Sequence, residues 1–486
     1  MTGQGTMKRN TSRCEHAYES FHPKPAKAPI GWPMFKTGQK RPSGVRFKTG
    51  QSALGSDAPS KSPSRLVKST RRNYCESFCP NHVHWPVLKR PSLAGFQAPL
   101  DTLLAFDERR HERNLHNLYG IEQVPCDTQM REILDPLDPE RLRPVYGDVF
   151  RELQRGKALE PFVFLGGCYL LLLDGTGYFS SQAIHCDGCL QKKNKQTGEV
   201  TYQHQLLGAV IAHPDYREVI PLAPEPIVQQ DGSRKNDCER NAAKRLLGKI
   251  RKEHPRLKLI VVEDGLASNA PHIRELKRLH MHFILGVKPG DHEFLFDRVI
   301  AAFEDDRVTT LSWKVGENQA ELSFTNNVPL NEANPDLLVN FFQYVEYGPD
   351  GQREKVFTFV TDLRITRSNG RLLVRGGRAR WKIENETFNT LKNQGYHYDH
   401  NYGHGKKHLS VVFAMLMMLA FLVDQTQQLC CPLFQAVWNK LGSKRALWDN
   451  LRSHFRHFTF HSMKHLYEVM LYDRAKQLPA PIFDTS

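Results

Sequence analysis

Apolar residues follow no periodic pattern over residues 1–90, a stretch rich in Gly, Pro, Ser, Thr, Lys and Arg. Such a segment cannot bury enough apolar surface to offset the entropy of ordering, so it is expected to be disordered. From Leu93 to about Gly156 the spacing turns helical. Within it, Asp138-Pro139-Glu140 combines an N-cap, a Pro suited to the first helical position and an acid in the first turn. Phe162 to Leu173 is then almost wholly apolar and runs into Asp174-Gly175-Thr176-Gly177, which predicts a buried strand ended by a turn. Tyr202–Ala212 and Glu218–Leu222 read as two further strands. A helix follows from Asp237, with Ala243, Leu246, Leu247 and Ile250 on one stripe. Next come a buried strand over Leu257–Val262, a helix with Pro271 in its first turn, and a strand over His282–Val287. This β-β-β-α-β-α-β order predicts an α/β fold, a mixed sheet flanked by helices.

Short strands and turns then take over from about Val308 to Leu373, among them Thr309–Lys314, Ala320–Phe324, Phe341–Glu346 and Lys355–Thr361. They predict a separate β unit. Helical signals resume near Arg378 and continue to the C-terminus. The longest unbroken apolar run, Val411–Val423, has thirteen residues. Spanning a bilayer takes about 20, so this run predicts a buried core helix and a protein outside the membrane. The plan is thus a tail (1–90), an N-terminal helical domain (91–160), a core in two parts (161–305 and 374–425) around a β-strand insertion (306–373), and a C-terminal helical region (426–486).

Charge changes this picture in one place. Of the net +15, +13 sits in residues 1–90, which hold 17 basic and 4 acidic side chains. A basic tail suits nonspecific, salt-sensitive contact with nucleic acid, or is a dispensable extension. The first thirty residues lack an apolar stretch, so no secretory signal is expected, and the ten cysteines are expected to be reduced or metal-bound in a cytoplasmic protein.

The candidate chemistry lies at strand ends. Asp174 and Asp264 each close a strongly apolar strand and precede Gly; neighbouring strands would bring the two carboxylates together. Glu384 is the third candidate, in Arg380-Trp381-Lys382-Ile383-Glu384-Asn385, with Arg380 one helical turn before it. Clustered carboxylates repel and hold protons unless a divalent cation lies among them, and oxygen ligands favour Mg²⁺ or Mn²⁺. Asp-Gly after a strand is also a common turn, and Asp362 has a similar setting without the Gly. Cys186-Asp187-Gly188-Cys189 has the spacing of half a zinc knuckle, which His204 and Cys238 could complete. With no second Cys-x-x-Cys, two reduced loop cysteines are the favoured reading. Cys75, Cys79, His82 and His84 form a weaker pattern. Residues 395–408 interleave His397, His400, His404 and His408 with Tyr396, Tyr398, Tyr402, Lys406 and Lys407, a mixture suited to DNA backbone and base stacking.

The blocks ending in Asp174-Gly-Thr and Asp264-Gly-Leu, then His282-Phe-Ile-Leu-Gly-Val-Lys288 and Arg380-Trp-Lys-Ile-Glu384-Asn, resemble in this order the DDE transposases of bacterial insertion sequences. Phe106–Arg110, Asp127–Glu132, Asp237–Arg245 and Gly395–His400 extend the likeness to roughly residues 93–425. It points to the subgroup with a β-strand insertion before the last Glu. The resemblance implies an RNase H-like fold and a nucleoid-associated bacterial enzyme that cuts and joins DNA by two-metal phosphoryl transfer. Asp174, Asp264 and Glu384 would hold two Mg²⁺ or Mn²⁺ ions, and Arg380, Lys392, Lys406 and Lys407 would contact DNA. Its partners would be double-stranded DNA, namely the terminal inverted repeats and the target, bound by a homodimer. Two departures stand out: the subgroup has a Tyr where this chain has Gly377, and a Lys seven residues after the Glu, where this chain has Leu391 and then Lys392. An inactive DNA-binding descendant and a nuclease of the same fold are the alternatives.

Overall fold

A computed structural model describes residues 109–120, 125–229 and 237–472; the expectations for the tail and for Cys75–His84 lie outside these residues. The chain begins with helices α1 (Arg109–Tyr119) and α2 (Asp127–Leu134). At Asp138 the side chain accepts the Glu140 N–H at 3.0 Å and starts a 3-10 turn that leads into α3 (Arg143–Arg155), as the Asp-Pro-Glu signal predicts. The sheet opens with β1 (Tyr169–Ser181), β2 (Leu190–Lys193), β3 (Val200–Ala212), β4 (Val219–Pro221) and β5 (Glu225–Ile227). Then α4 (Glu239–Glu253), β6 (Leu259–Glu263), α5 (Ala270–Arg278), β7 (His282–Gly286) and α6 (Glu293–Glu304) alternate. Four longer strands follow: β8 (Thr309–Val315), β9 (Asn318–Asn331), β10 (Asn334–Tyr347) and β11 (Arg353–Thr361). Helix α7 (Gly370–Arg378), a π-helical turn (Ile383–Phe388) and α8 (Asn389–Asn393) lead to α9 (Leu409–Cys430), and α10 (Pro432–Leu441), α11 (Lys444–His457) and α12 (Met463–Tyr472) close the described chain.

Among the described residues these strands form one sheet in the order β2-β3-β1-β6-β7-β11-β10-β9-β8, with β4 and β5 also along β3. The centre is parallel, β1 with β6 and β6 with β7, and the flanks are antiparallel. β6 is buried along its whole length, as expected of a parallel strand covered on both faces.

Three expectations change. The first strand starts at Tyr169, not Phe162, because Gly166 and Gly167 take φ of 65° and 76° and turn the chain back on itself. It also does not stop at Asp174-Gly175: β1 runs on to Ser181, paired with β3 alone, since its pairing with β6 covers only Tyr169–Leu172. The third change concerns the segment expected as a separate β unit. It continues the central sheet, because β11 bonds to the outer edge of β7 through Thr361↔Ile284 and Phe359↔Gly286.

The apolar run near Val411 lies in α9, whose 22 residues are long and apolar enough to cross a bilayer; 94% of its most apolar window is instead buried within the protein. It is a core helix, as its setting against α3 and β4 shows.

Candidate active site where two parallel strands part

The parallel pairing of β1 with β6 ends at Leu172 and Val262, and Asp174 and Asp264 each lie two residues beyond it. Adjacent strands lie about 4.8 Å apart, and Asp174 and Asp264 line one cleft where the two strands part. Burial of the strands behind them fixes their backbones; Leu170, Leu171 and Leu172 and Ile260, Val261 and Val262 are fully enclosed.

Asp174 accepts the Gly175 N–H at 2.9 Å and the Arg380 Nη1 donor at 3.0 Å. Burial pushes its carboxyl above the usual range; Arg380 and the Gly175 N–H oppose this, and the charges of Asp264 and Glu384 add to it. Asp174 and Asp264 line one cleft, and Glu384 is near enough for its charge to act on Asp174. Asp264 caps the 3-10 turn Gly265–Ala267 by accepting the Leu266 N–H at 3.0 Å. Asp362, the competing strand-end acid, is engaged elsewhere: it accepts from His282 Nδ1 at 2.8 Å and from the Phe283 N–H at 3.0 Å.

Glu384 is carried in by the π-helical turn. Phe388, one turn further on, packs against Gly208, the β3 residue paired with Asp174; a Cβ at 208 would lie 2.8 Å from that ring. The absence of a side chain there lets the helix approach the sheet closely. The same turn accounts for the displaced lysine. The Asn389 N–H bonds to the Glu384 carbonyl, an i→i+5 bond that takes up one extra residue. Lys392, eight residues after Glu384, is thereby returned to the face that a seven-residue spacing reaches in a regular helix. Burial lowers its pKa, and Asp399 and then Glu384 attract its charge.

Arg380 differs from expectation. The chain between α7 and the π turn tightens to i→i+3 bonds at Ala379–Ile383, so Arg380 is not on one regular helix face with Glu384. Its partner is Asp174, across the site. The other departure, Gly377, has a packing cause: a Cβ there would lie 2.8 Å from the Phe359 ring, which fills the place a tyrosine would need.

Lys406 and Lys407 are exposed, and among the described residues no contact joins them to the three carboxylates. Their backbone N–H groups, with that of Leu409, donate to the Asp135 carboxylate at 2.9–3.2 Å. Burial raises the Asp135 pKa, but these bonds and one from His408 outweigh it and hold it low. The tyrosines expected to stack on bases are buried instead. Tyr398 is fully enclosed, and the Tyr396 hydroxyl donates to Asp424. Their aromatic faces build the core against α9, because this loop folds back onto the protein.

Two residues escaped the sequence reading. Glu239, the first residue of α4, lines the same cleft as Asp174 and Asp264. Burial raises its carboxyl, followed by the charges of Asp174, Asp264 and Glu263. Its block, Asp237–Arg245, was visible as a matching stretch, but a lone helical acid carries no strand-end signature. Trp381, 48% exposed, lies beside the Arg380 guanidinium, 5.5 Å from carbon to ring centre.

Residues 212–422 match the family model described as the transposase DDE domain. The match includes Asp264, Arg380, Glu384 and Lys392 and begins after Asp174. No curated protein matches the chain. The mixed sheet flanked by helices is consistent with the RNase H-like arrangement of such domains, and over residues 212–422 the chain is similar to transposase DDE domains.

Proposed function

We propose that this protein is the transposase of an insertion sequence, which cuts DNA strands at the terminal inverted repeats of its element and joins the freed ends to target DNA. The observation that supports this reading is that Asp174 and Asp264, each two residues beyond the last parallel pair of β1 and β6, line one cleft, and that the charges of Asp264 and Glu384 both act on Asp174. The donor set is all oxygen, which suits hard cations such as Mg²⁺ or Mn²⁺; burial, and then the neighbouring carboxylates, raise Asp174 and Glu239, and a cation would offset both effects. Held by Asp174, Asp264 and Glu384, two such ions would supply Lewis acidity at the phosphate and a more acidic attacking water or 3′-hydroxyl.

The chain's own residues account for the rest. Arg380 orients the Asp174 carboxylate through one donor and keeps four N–H donors for nonbridging phosphate oxygens, a fork-shaped contact that lysine does not reproduce. Lys392 places positive charge beside Glu384, and exposed Trp381 offers a face to an unpaired base. Lys406 and Lys407, on a loop fixed by Asp135, suit DNA phosphates away from the reacting one. A homodimer that pairs two element ends belongs to the same proposal.

The test uses the full chain, DNA fragments carrying the element's ends, and Mg²⁺. Cleavage followed by joining to a target is expected. Asp174→Asn, Asp264→Asn and Glu384→Gln should each lower cleavage at least about a hundredfold, roughly 2.7 kcal/mol in the barrier, while binding to the ends in gel shift persists. Cleavage without joining would make the protein a nuclease on this fold. Binding without metal-dependent cleavage would make it a DNA-binding descendant.

A further inference from the structure

A second cluster of metal-ligand side chains lies apart from the carboxylates. Cys186 and Cys189 come from the β1–β2 connection, His204 from β3, and His404 from the loop before α9, 215 residues beyond Cys189. Their ligand atoms all lie within 4.8 Å of one another. The sulfurs are 3.8 Å apart; His204 Nε2 is 3.3 Å from Cys186 Sγ and 3.4 Å from Cys189 Sγ; His404 Nε2 is 3.5 Å from Cys189 Sγ. Tetrahedral zinc, with Zn–S of about 2.3 Å and Zn–N of about 2.0–2.1 Å, sets its sulfurs about 3.8 Å apart and each sulfur about 3.6 Å from a nitrogen. The observed separations match that figure within a few tenths of an ångström, and a 3.8 Å sulfur pair is not a disulfide.

The surroundings agree. Cys189 is 1% exposed, His204 2% and His404 9%. Among the described residues, the hydrogen-bond contacts of the two imidazoles are with thiols, and both Nδ1 atoms are buried without a hydrogen-bond partner. Thiols are weak partners for buried polar rings, so a cluster closed on itself needs a stronger centre. Cys238, which the sequence offered as a fourth ligand, is instead the exposed residue before α4.

We propose that Cys186, Cys189, His204 and His404 bind one structural Zn²⁺. All four positions come from the protein, which closes the site to substrate and leaves the ion a staple. Its place in the fold gives it a task. Beyond Asp174 the β1–β3 pair runs on without β6, and the 395–408 loop has few regular hydrogen bonds of its own. The ion would tie this overhang to that loop, and so set where Lys406 and Lys407 stand relative to Asp174.

The full chain, produced in zinc-containing medium and purified without chelators, should hold about one zinc by elemental mass spectrometry. Exchange with Co²⁺ should give the intense visible bands of a tetrahedral site and sulfur-to-cobalt charge transfer; an ion on oxygen ligands at the carboxylates would give neither. Asp264→Asn should keep the zinc. Cys186→Ser and His404→Ala should lose it to a competing chelator at least tenfold more readily, and His404→Cys should retain it with stronger sulfur-to-cobalt absorption. A folded wild-type chain with under about a tenth of an equivalent of zinc and no tetrahedral Co²⁺ spectrum would overturn the proposal. So would a Cys186–Cys189 disulfide in the purified protein.

Discussion

Arg380 is the residue whose exchange has the clearest sign. Burial and the charges of Asp264 and Glu384 push the Asp174 carboxyl upward, and the Arg380 guanidinium pulls it back. Arg380→Gln removes the opposing charge, so Asp174 should hold its proton to higher pH. The acid limb of the cleavage rate against pH should move to higher pH, with a loss of roughly tenfold or more below the plateau. Arg380→Lys keeps the charge and should leave the limb nearer its original position while lowering the plateau. An unchanged profile in Arg380→Gln would reduce the contact to a partly exposed ion pair worth about 0–1 kcal/mol. That Arg380 and an acid would meet was legible in the chain. Which acid was not, because the spacing of four assumes a continuous helix and the backbone tightens between Ala379 and Ile383.

The elements around Glu384 depend on glycines that local patterns do not explain. Gly208 sits under Phe388, and Gly377 sits under Phe359, each with a ring 2.8 Å from where a Cβ would be. In Gly208→Val the branched side chain must displace Phe388, and with it the turn bearing Glu384, away from Asp174. Cleavage should fall at least tenfold, and overpacking should cost about 1–3 kcal/mol in a denaturant melt. Wild-type cleavage in a folded Gly208→Val chain would show that Glu384 does not need this approach. The π turn was equally hidden. Counted along the sequence, Lys392 looks rotated by about 100°; the i→i+5 bond at Glu384 absorbs the extra residue. The long strands after α6 were readable as strands, but their union with the core was not. Pairing at the open edge of β7 is a contact between segments more than seventy residues apart, and alternation within a strand does not name its neighbour.

Across the whole molecule, two groups of charge can be tested directly. Asp424 lies in the buried helix α9, and burial raises its carboxyl to about 8; the Tyr396 hydroxyl and, more weakly, Lys444 oppose the rise. An unfolded Asp titrates near about 3.9, so the folded state holds this proton more tightly. Its contribution to stability is full below about pH 4 and is lost as pH rises to about 8, by up to ~1.4 kcal/mol per pH unit. Asp424→Asn should flatten that part of the Tm-against-pH curve and raise Tm at its alkaline end; an unaltered slope would place Asp424 outside the linkage. The second group is the tail. Removing residues 1–90 takes away +13 of charge, so nonspecific DNA affinity should weaken and its dependence on salt become shallower. Tm of the remaining chain should stay within about 1 °C, and a larger loss would show that the fold relies on the tail.

Local regularities carried the alternation of strands and helices, the buried character of α9, and the apolar strands that lead into Asp174 and Asp264. Each is expressed within a few neighbouring residues, through apolar spacing, caps and turns. Partnership between distant segments required the folded chain. Arg380 found Asp174 rather than Glu384, the loop tyrosines turned inward, Glu239 joined the carboxylates from α4, and His404 joined Cys186, Cys189 and His204. The physical reason is common to all four. Such contacts are selected by shape, burial and charge between surfaces tens to hundreds of residues apart in the chain, and short-range spacing holds no record of which surfaces will meet.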